Sequence, residues 1–330
     1  MNALPQNNLY PLSLFALCIA SVLVALSFIP DASLFSKREK EQEIKNIATP
    51  AYSFQESGET KTSPHLPLLS KVPPPELSAS AYLVRFTGDA IPLLNQREWK
   101  HVPLASLTKI LTSVIALETL SPGDWITFSG DAKRVEEKLS SAREGEKFLR
   151  DDAIRFAMIS SANDAATAIA EAVGEKAGGT TFQEKLSIFR DLMEKNARAI
   201  GLENSSFENP TGLDEDHHFS SAENLLTLVE YAWKTHPLLW EISRTVETVV
   251  YSGTGESHQI STTNDLLKEL PGILGGKTGF TDRARGALVL IYPVKPDHIA
   301  LITLLGSENR FEDGRKIIAW LEKVFQENDR

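Results

Sequence analysis

Ser106-Leu107-Thr108-Lys109 pairs a weak nucleophile with a base of its own. A serine hydroxyl attacks a carbonyl only when something takes its proton, and a neighbouring amine can do so. Three residues of separation on a helix bring the two side chains onto one face. Taken alone, the tetrapeptide reads as a helix cap followed by a solvated lysine. Two further polar triplets change its weight. Ser161-Ala162-Asn163 lies between two helical patterns, where both polar side chains can enter one cleft, although Ser and Asn are also common caps. Lys277-Thr278-Gly279 lies in a glycine-rich apolar stretch and offers a cation and a hydroxyl, a combination suited to a carboxylate. A phosphate-binding loop needs glycine at 271, where this chain has Pro271, and a following helix where a strand is expected.

The elements that must hold these groups follow from hydrophobic period and turn signals. A helix is expected from Ser106 to Leu120, stopped by Ser121-Pro122-Gly123-Asp124. Ser106 would then stand at its N-terminus, where backbone N–H groups favour developing negative charge. Helical patterns also cover Asp152–Ile159, Ala165–Val173, Phe182–Ile200, Ala222–Thr235 and, amphipathically, Arg310–Phe325. Ala81–Phe86 and Ile91–Leu94 read as a hairpin around Thr87-Gly88-Asp89. Strand-like runs return at Val246–Tyr251, His258–Thr262, Gly276–Phe280, Ala287–Tyr292 and Ile299–Leu305. Sheet elements at both ends with helices between them predict one α+β domain carrying an inserted helical lobe. The glycines around Lys277 would let a substrate lie along a strand edge.

Ser-x-x-Lys, Ser-x-Asn and Lys-Thr-Gly in this order resemble the signature of penicillin-recognising serine peptidases and serine β-lactamases. Pro103–Thr112, Ser160–Ala166, Phe207–Leu213 with its Asn209-Pro210-Thr211-Gly212-Leu213, and Thr263–Leu267 are similar to segments of the low-molecular-mass D-alanyl-D-alanine carboxypeptidases. The resemblance implies a mostly antiparallel sheet flanked by helices, with an inserted helical subdomain. It also implies roles. Ser106 attacks the carbonyl of a penultimate D-alanine, Lys109 is its base, and Ser161 relays a proton to the leaving nitrogen. Asn163 orients the peptide, and Lys277, Thr278 and Gly279 bind the substrate, with Lys277 and Thr278 holding its terminal carboxylate. The backbone N–H groups of Ser106 and Phe280 form the oxyanion hole. A lysine serves as base only when neighbours favour its neutral form, and Lys277 is a cation that can contribute. No metal or other cofactor is implied. The implied partners are peptidoglycan stem peptides as substrate and β-lactam antibiotics as acylating inhibitors. Alternatives of the same fold are a D,D-endopeptidase of cross-links and a serine β-lactamase, and a further alternative is an inactive peptidoglycan-binding module. Against a class A β-lactamase, Ala162 stands where that class has Asp, and Glu223-Asn224-Leu225-Leu226 has the wrong spacing for its deacylating loop.

Ala284-Arg285-Gly286 departs from the family's Ala-Gly-Gly, and Arg285 is expected to face solvent from a strand edge rather than to add a cation to the pocket. Asp214, Asp216, His217 and His218 cluster after Leu213, but their spacing matches no standard metal site.

Residues 9 to 29 form an apolar run of about 20 residues without a charge, long enough to span a bilayer. The expected organisation is a transmembrane anchor or signal segment at 1–30, a flexible proline-containing linker at 31–76, the catalytic domain at 77–326 and a tail at 327–330. The implied location is the cell membrane or beyond it, with the catalytic domain on the extracytoplasmic side. Lys37, Arg38, Lys40 and Lys45 follow the apolar run and no Lys or Arg precedes it, which opposes that orientation by the positive-inside rule. Long domains nevertheless translocate largely regardless of charge. Cys18 is the only cysteine, so no intrachain disulfide can form. A net charge of −10 gives no electrostatic reason to expect nucleic acid as a partner.

Overall fold

A computed structural model describes residues 71–137 and 140–326. The expected anchor, most of the expected linker, Cys18 and the expected tail lie outside the described residues. In chain order the elements are β1 (Ala81–Phe86), β2 (Leu94–Gln96), a 3₁₀ turn (Ala105–Thr108), α1 (Lys109–Thr119), β3 (Trp125–Thr127) and α2 (Gly130–Lys133). β4 (Lys147–Leu149), α3 (Arg150–Met158), α4 (Asn163–Lys176), α5 (Phe182–Ile200), α6 (Ala222–Thr235) and α7 (Pro237–Ser243) complete the middle of the chain. β5 (Glu247–Tyr251), β6 (Ser257–Ser261), α8 (Leu266–Glu269), β7 (Gly275–Thr281), β8 (Arg285–Lys295), β9 (His298–Ser307) and α9 (Arg310–Gln326) follow.

The main sheet has the order β2-β1-β9-β8-β7, and every neighbouring pair is antiparallel. Two of its strands come from one end of the described chain and three from the other, so closing it folds the helical middle out as a lobe. That is the expected α+β arrangement. β1 shows how residue alternation divides the two faces. Tyr82, Val84 and Phe86 join Leu288, Leu290, Ile302 and Leu304 in a core covered by Ile317, Ile318, Leu321 and Phe325 of α9. On the opposite face Arg85 is buried and paired with Glu223 at 2.8 Å and Glu230 at 3.4 Å, both on α6. Thr303 of β9 donates to the Ala222 carbonyl at 3.1 Å on the same side. The core also takes in Val72, whose carbonyl accepts from the indole N–H of Trp320, so packed chain begins ahead of the expected boundary at residue 77.

Phe182–Ile200 and Ala222–Thr235 occur with the expected bounds. Their ends carry strong local signals. Thr181 and Glu184 form a reciprocal capping box, Gly201 closes α5 in the left-handed conformation, and Ser221 caps α6. Three expectations differ. The second strand of the first hairpin is Leu94–Gln96 rather than Ile91–Leu94, with Val84 opposite Leu94. β5 and β6 pair only with each other, apart from the main sheet. The nucleophile segment opens as a 3₁₀ turn, and α1 starts at Lys109 rather than Ser106.

Candidate active site

The 3₁₀ turn matters to the chemistry. Side chains three apart eclipse in this conformation, which stacks Ser106 directly over Lys109. Lys109 Nζ lies 2.8 Å from Ser106 Oγ, and the lysine is fully buried. Two other groups meet that nitrogen: Asn163 Oδ1 at 2.7 Å and the Thr211 carbonyl at 2.7 Å. The amide of Asn163 is oriented by its own NH₂, which donates to the Glu136 carbonyl at 2.9 Å, so its oxygen faces Lys109. Both neighbours of the amine can only accept. A neutral amine has two N–H donors and one lone pair. As an ammonium Lys109 donates to all three oxygens; as a neutral amine it donates to Asn163 and Thr211 and turns its lone pair to the Ser106 hydroxyl.

Ser161 sits in the connection between α3 and α4 and is fully buried, with φ +62. A left-handed backbone costs a non-glycine residue about 1–2 kcal/mol, and such strain gathers where side-chain direction is functional. Lys277 Nζ donates to Ser161 Oγ at 2.7 Å and to the Thr278 carbonyl at 2.7 Å. Asn163 is the first residue of α4, two residues earlier than the expected helix start near Ala165. Thr278 shares a hydrogen bond of 2.6 Å with Thr263.

β7 is the last strand of the sheet, so among the described residues its outer edge carries no strand partner. The nucleophile turn lies close against it. A Cβ on Gly279 would come within 3.0 Å of the Ala105 Cβ and 3.1 Å of the Ser106 backbone nitrogen. Glycine at 279 thus serves close packing of strand on turn as well as access. Ser106, Asn163, Thr211, Gly212, Phe280 and Thr281 line a small depression at this junction, together with Glu137 and Leu213. Of the residues singled out from the sequence, Ser106, Asn163 and Phe280 line it; behind them Lys109 bonds to Ser106 and Asn163, and Lys277 bonds to Ser161.

Residues 207–219 supply what the motifs lacked. This loop grips the nucleophile turn at several points. Thr112 donates to the Pro210 carbonyl at 2.7 Å. Gly212 has φ +87, and a Cβ there would sit 1.8 Å from the Ala105 carbonyl oxygen. His218 is buried; its Nδ1 accepts from the Glu208 N–H at 3.2 Å, which leaves Nε2–H to donate to Thr108 Oγ1 at 2.8 Å. Burial, with Lys109 close by, pushes the imidazole down to about 4. The loop also reaches β7: Thr281 Oγ1 donates to Asp214 at 2.9 Å and accepts from the Ala284 N–H at 3.0 Å. Asp214 and His218 therefore take separate structural partners, and Asp216 pairs with Arg283 at 3.2 Å. Among the described residues no group of three or more His, Cys, Asp or Glu is placed to hold a metal ion.

Residues 70–304 match the family model described as D-alanyl-D-alanine carboxypeptidase, peptidase S11. The chain belongs to this family. Among its relatives, D-alanyl-D-alanine carboxypeptidase DacF of Bacillus subtilis is 28% identical over 258 residues, 76% of this chain and 63% of that one. The chain thus spans somewhat under two thirds of that relative's length. A D-alanyl-D-alanine endopeptidase of Pseudomonas aeruginosa is 29% identical over 268 residues, 77% of this chain and 83% of the relative. Among solved structures, the Streptomyces K15 DD-transpeptidase superposes with a TM-score of 0.70 at 22% identity, covering 76% of this chain and 99% of that chain. The latter likeness concerns the fold.

The Asn209-Pro210-Thr211-Gly212-Leu213 stretch is family-like in sequence, but its residue types point to no task. Its contributions run through the Thr211 carbonyl and through a glycine conformation, which side-chain chemistry does not advertise. Arg285, the first residue of β8, is exposed at φ +57, opposite Thr281.

Proposed function

We propose that this peptidase removes the terminal D-alanine from peptidoglycan pentapeptide stems through an acyl-enzyme on Ser106. The observation that carries the reading is Lys109 Nζ at 2.8 Å from Ser106 Oγ, with its other neighbours restricted to acceptors. The substrate lies along the open edge of β7. Ser106 Oγ forms a bond to the carbonyl carbon of the penultimate D-alanine as its proton passes to Lys109. The oxyanion is held by the backbone N–H groups of Ser106 and Phe280, donors whose value lies in stabilising charge absent from the ground state. The C–N bond then breaks. Ser161, aligned by Lys277, delivers the proton to the departing D-alanine nitrogen, and Asn163 holds the peptide. Lys277, Thr278 and Gly279 receive the terminal carboxylate, which ties cutting to a free C-terminus. Water adds to the acyl carbon, the ester bond to Ser106 breaks, and the serine recovers its proton.

The test is incubation with a purified pentapeptide stem, scoring released D-alanine, beside labelling by a fluorescent penicillin. Release by the wild type, with label and release both lost in Ser106→Ala, is expected. Label that survives Ser106→Ala would refute the nucleophile assignment, and no release or label in the wild type would leave an inactive binding module. A second reading, cleavage of cross-links, is supported by the larger share of the Pseudomonas endopeptidase that the chain covers, 83% against 63% of the Bacillus carboxypeptidase. Cleavage of cross-linked dimers without release from pentapeptide would favour it. The catalytic domain is assigned to the extracytoplasmic side, tethered by the apolar run at 9–29. Among the described residues no helix is long and apolar enough to cross a membrane.

A further inference from the structure

A second cleft, of about 610 Å³, opens on the helical lobe. Its volume falls within the ordinary range for small-ligand sites. One wall is the β3–β4 ribbon, which presents Trp125, Thr127 and Lys147; the other is α4, with Lys185 of α5 at the rim. Trp125 is 51% exposed, unusual for so large a ring. The backbone at Gly253 packs against its edge: a Cβ there would lie 3.1 Å from the indole ring. The ring is thereby held in place with part of its surface open.

Several polar groups of the cleft are paired. Asp124 pairs with Lys176 at 2.9 Å, Glu175 with Lys185 at 2.6 Å, and Glu171 accepts from Ser129 at 2.5 Å. Glu171 is largely buried, and burial raises its carboxyl above the ordinary carboxylate range. Three acidic and three basic side chains line the walls, Asp124, Glu171 and Glu175 against Lys147, Lys176 and Lys185. Such a balance gives no field to attract a phosphate or a polycation. A net-neutral cleft with an aromatic face and a dense array of oriented donors and acceptors suits a neutral polyhydroxylated ligand. The polarised C–H groups on one face of a sugar ring complement the negative face of an indole, and hydroxyl or acetamido groups can bond to the carboxylates and ammonium groups.

Position narrows the choice. α4 begins with Asn163 in the active site and lines the cleft with Ala168, Glu171, Ala172 and Glu175. These residues lie five to twelve positions further on, about 8–18 Å along the axis at a rise of about 1.5 Å per residue. An extended pentapeptide spans about 17 Å, so one polymer can place a stem end at Ser106 and its sugar backbone on the lobe.

We propose that this cleft binds the amino-sugar strand of the polymer whose stem the active site cuts, a placement that rests on the peptidase reading above. The probe is the tetramer of N-acetylglucosamine, titrated calorimetrically into the full chain as wild type and as Ser106→Ala. Both should bind. Trp125→Ala should weaken binding about tenfold, the order that one ring-stacking contact is worth. Ala172→Phe, which places a ring in the cleft from the helix side, should do the same. Both variants should keep wild-type penicillin acylation and soluble-pentapeptide turnover, while D-alanine release from intact sacculi falls. No binding by the wild type, or binding undiminished in the two variants, would overturn the proposal. So would equal losses on sacculi and on soluble peptide. Failure of acylation and turnover in the wild type would refute the peptidase reading and leave the saccharide titration to be judged by itself.

Discussion

Replacing Gly212 by alanine changes one methyl group, yet it should disable acylation while leaving the fold in place. The residue has φ +87, and a Cβ would stand 1.8 Å from the Ala105 carbonyl oxygen, 2.3 Å from its carbon and 2.9 Å from Thr108 Oγ1. Real Cβ contacts essentially never fall under 3.0 Å, so backbone must give by about 1.2 Å, the difference between 3.0 and 1.8 Å. The atom struck belongs to the residue immediately before Ser106. Movement of that size takes the Ser106 N–H out of hydrogen-bond range of a developing oxyanion and disturbs the stacked Ser106–Lys109 pair. A 1 Å misplacement costs roughly a hundredfold in rate, and loss of one oxyanion donor costs about a hundred- to a thousandfold. Acylation by a fluorescent penicillin should therefore slow by about two orders of magnitude or more. Stability should fall by about 2–5 kcal/mol, from about 1–2 for a left-handed alanine and about 1–3 for overpacking. Most single domains have about 5–15 kcal/mol to lose from, so the variant should still fold. The assay is the second-order acylation rate beside a denaturant titration on the same preparation. An alanine variant acylated within threefold of the wild-type rate would refute the claim that this loop sets the nucleophile's position.

Other outcomes follow from the same loop and from the start of β8. His218 has its ordinary value of 6.5 lowered to about 4, so the unfolded chain takes up this proton first as pH falls. Its contribution is present above pH 6.5 and is lost between 6.5 and about 4, roughly 3 kcal/mol in all; urea titrations at pH 7 and 4.5 should show a gap that narrows in His218→Gln, and equal gaps in both proteins would count against the assignment. Asp214→Ala frees Thr281, next to the proposed donor Phe280, and should slow acylation about tenfold, in line with a charge-assisted hydrogen bond, whereas Asp214→Asn keeps an acceptor and should recover much of the rate; an unaffected alanine variant would remove Asp214 from the positioning set. Arg285→Gly should relieve the left-handed strain and raise stability by about 0.5–1 kcal/mol after glycine's entropic cost, with acylation unchanged; a rate change beyond threefold would place the Arg285 cation at the pocket after all.

The two helices whose bounds were legible, Phe182–Ile200 and Ala222–Thr235, carry strong local signals: a capping box and a left-handed glycine on the first, a serine cap on the second. The β3–β4 ribbon, α2, α7 and α8 escaped notice because each is only three to seven residues long, too short for a period to declare itself. The first hairpin slipped because its turn alone does not fix register; Leu94 opposite Val84 does, and that pairing depends on which face meets α9.

The motif residues could be named from types, order and spacing because covalent neighbours travel together: Ser106 with Lys109, Ser161 with Asn163, Lys277 with Thr278. What surrounds each of them was settled by the fold. The oxygens that meet Lys109 Nζ beside Ser106 come from Asn163 and Thr211, 54 and 102 residues away, and the lysine that bonds to Ser161 is 116 residues on. Neither the 3₁₀ stacking of Ser106 on Lys109 nor the left-handed turn at Ser161 has a composition that announces it. The first lies against β7 and the 207–219 loop, and the second brings Ser161 to Lys277 of β7. Residue identity determined which chemistry was available, and long-range packing decided which atoms of those residues face one another, because orientation and burial are properties of the assembled chain.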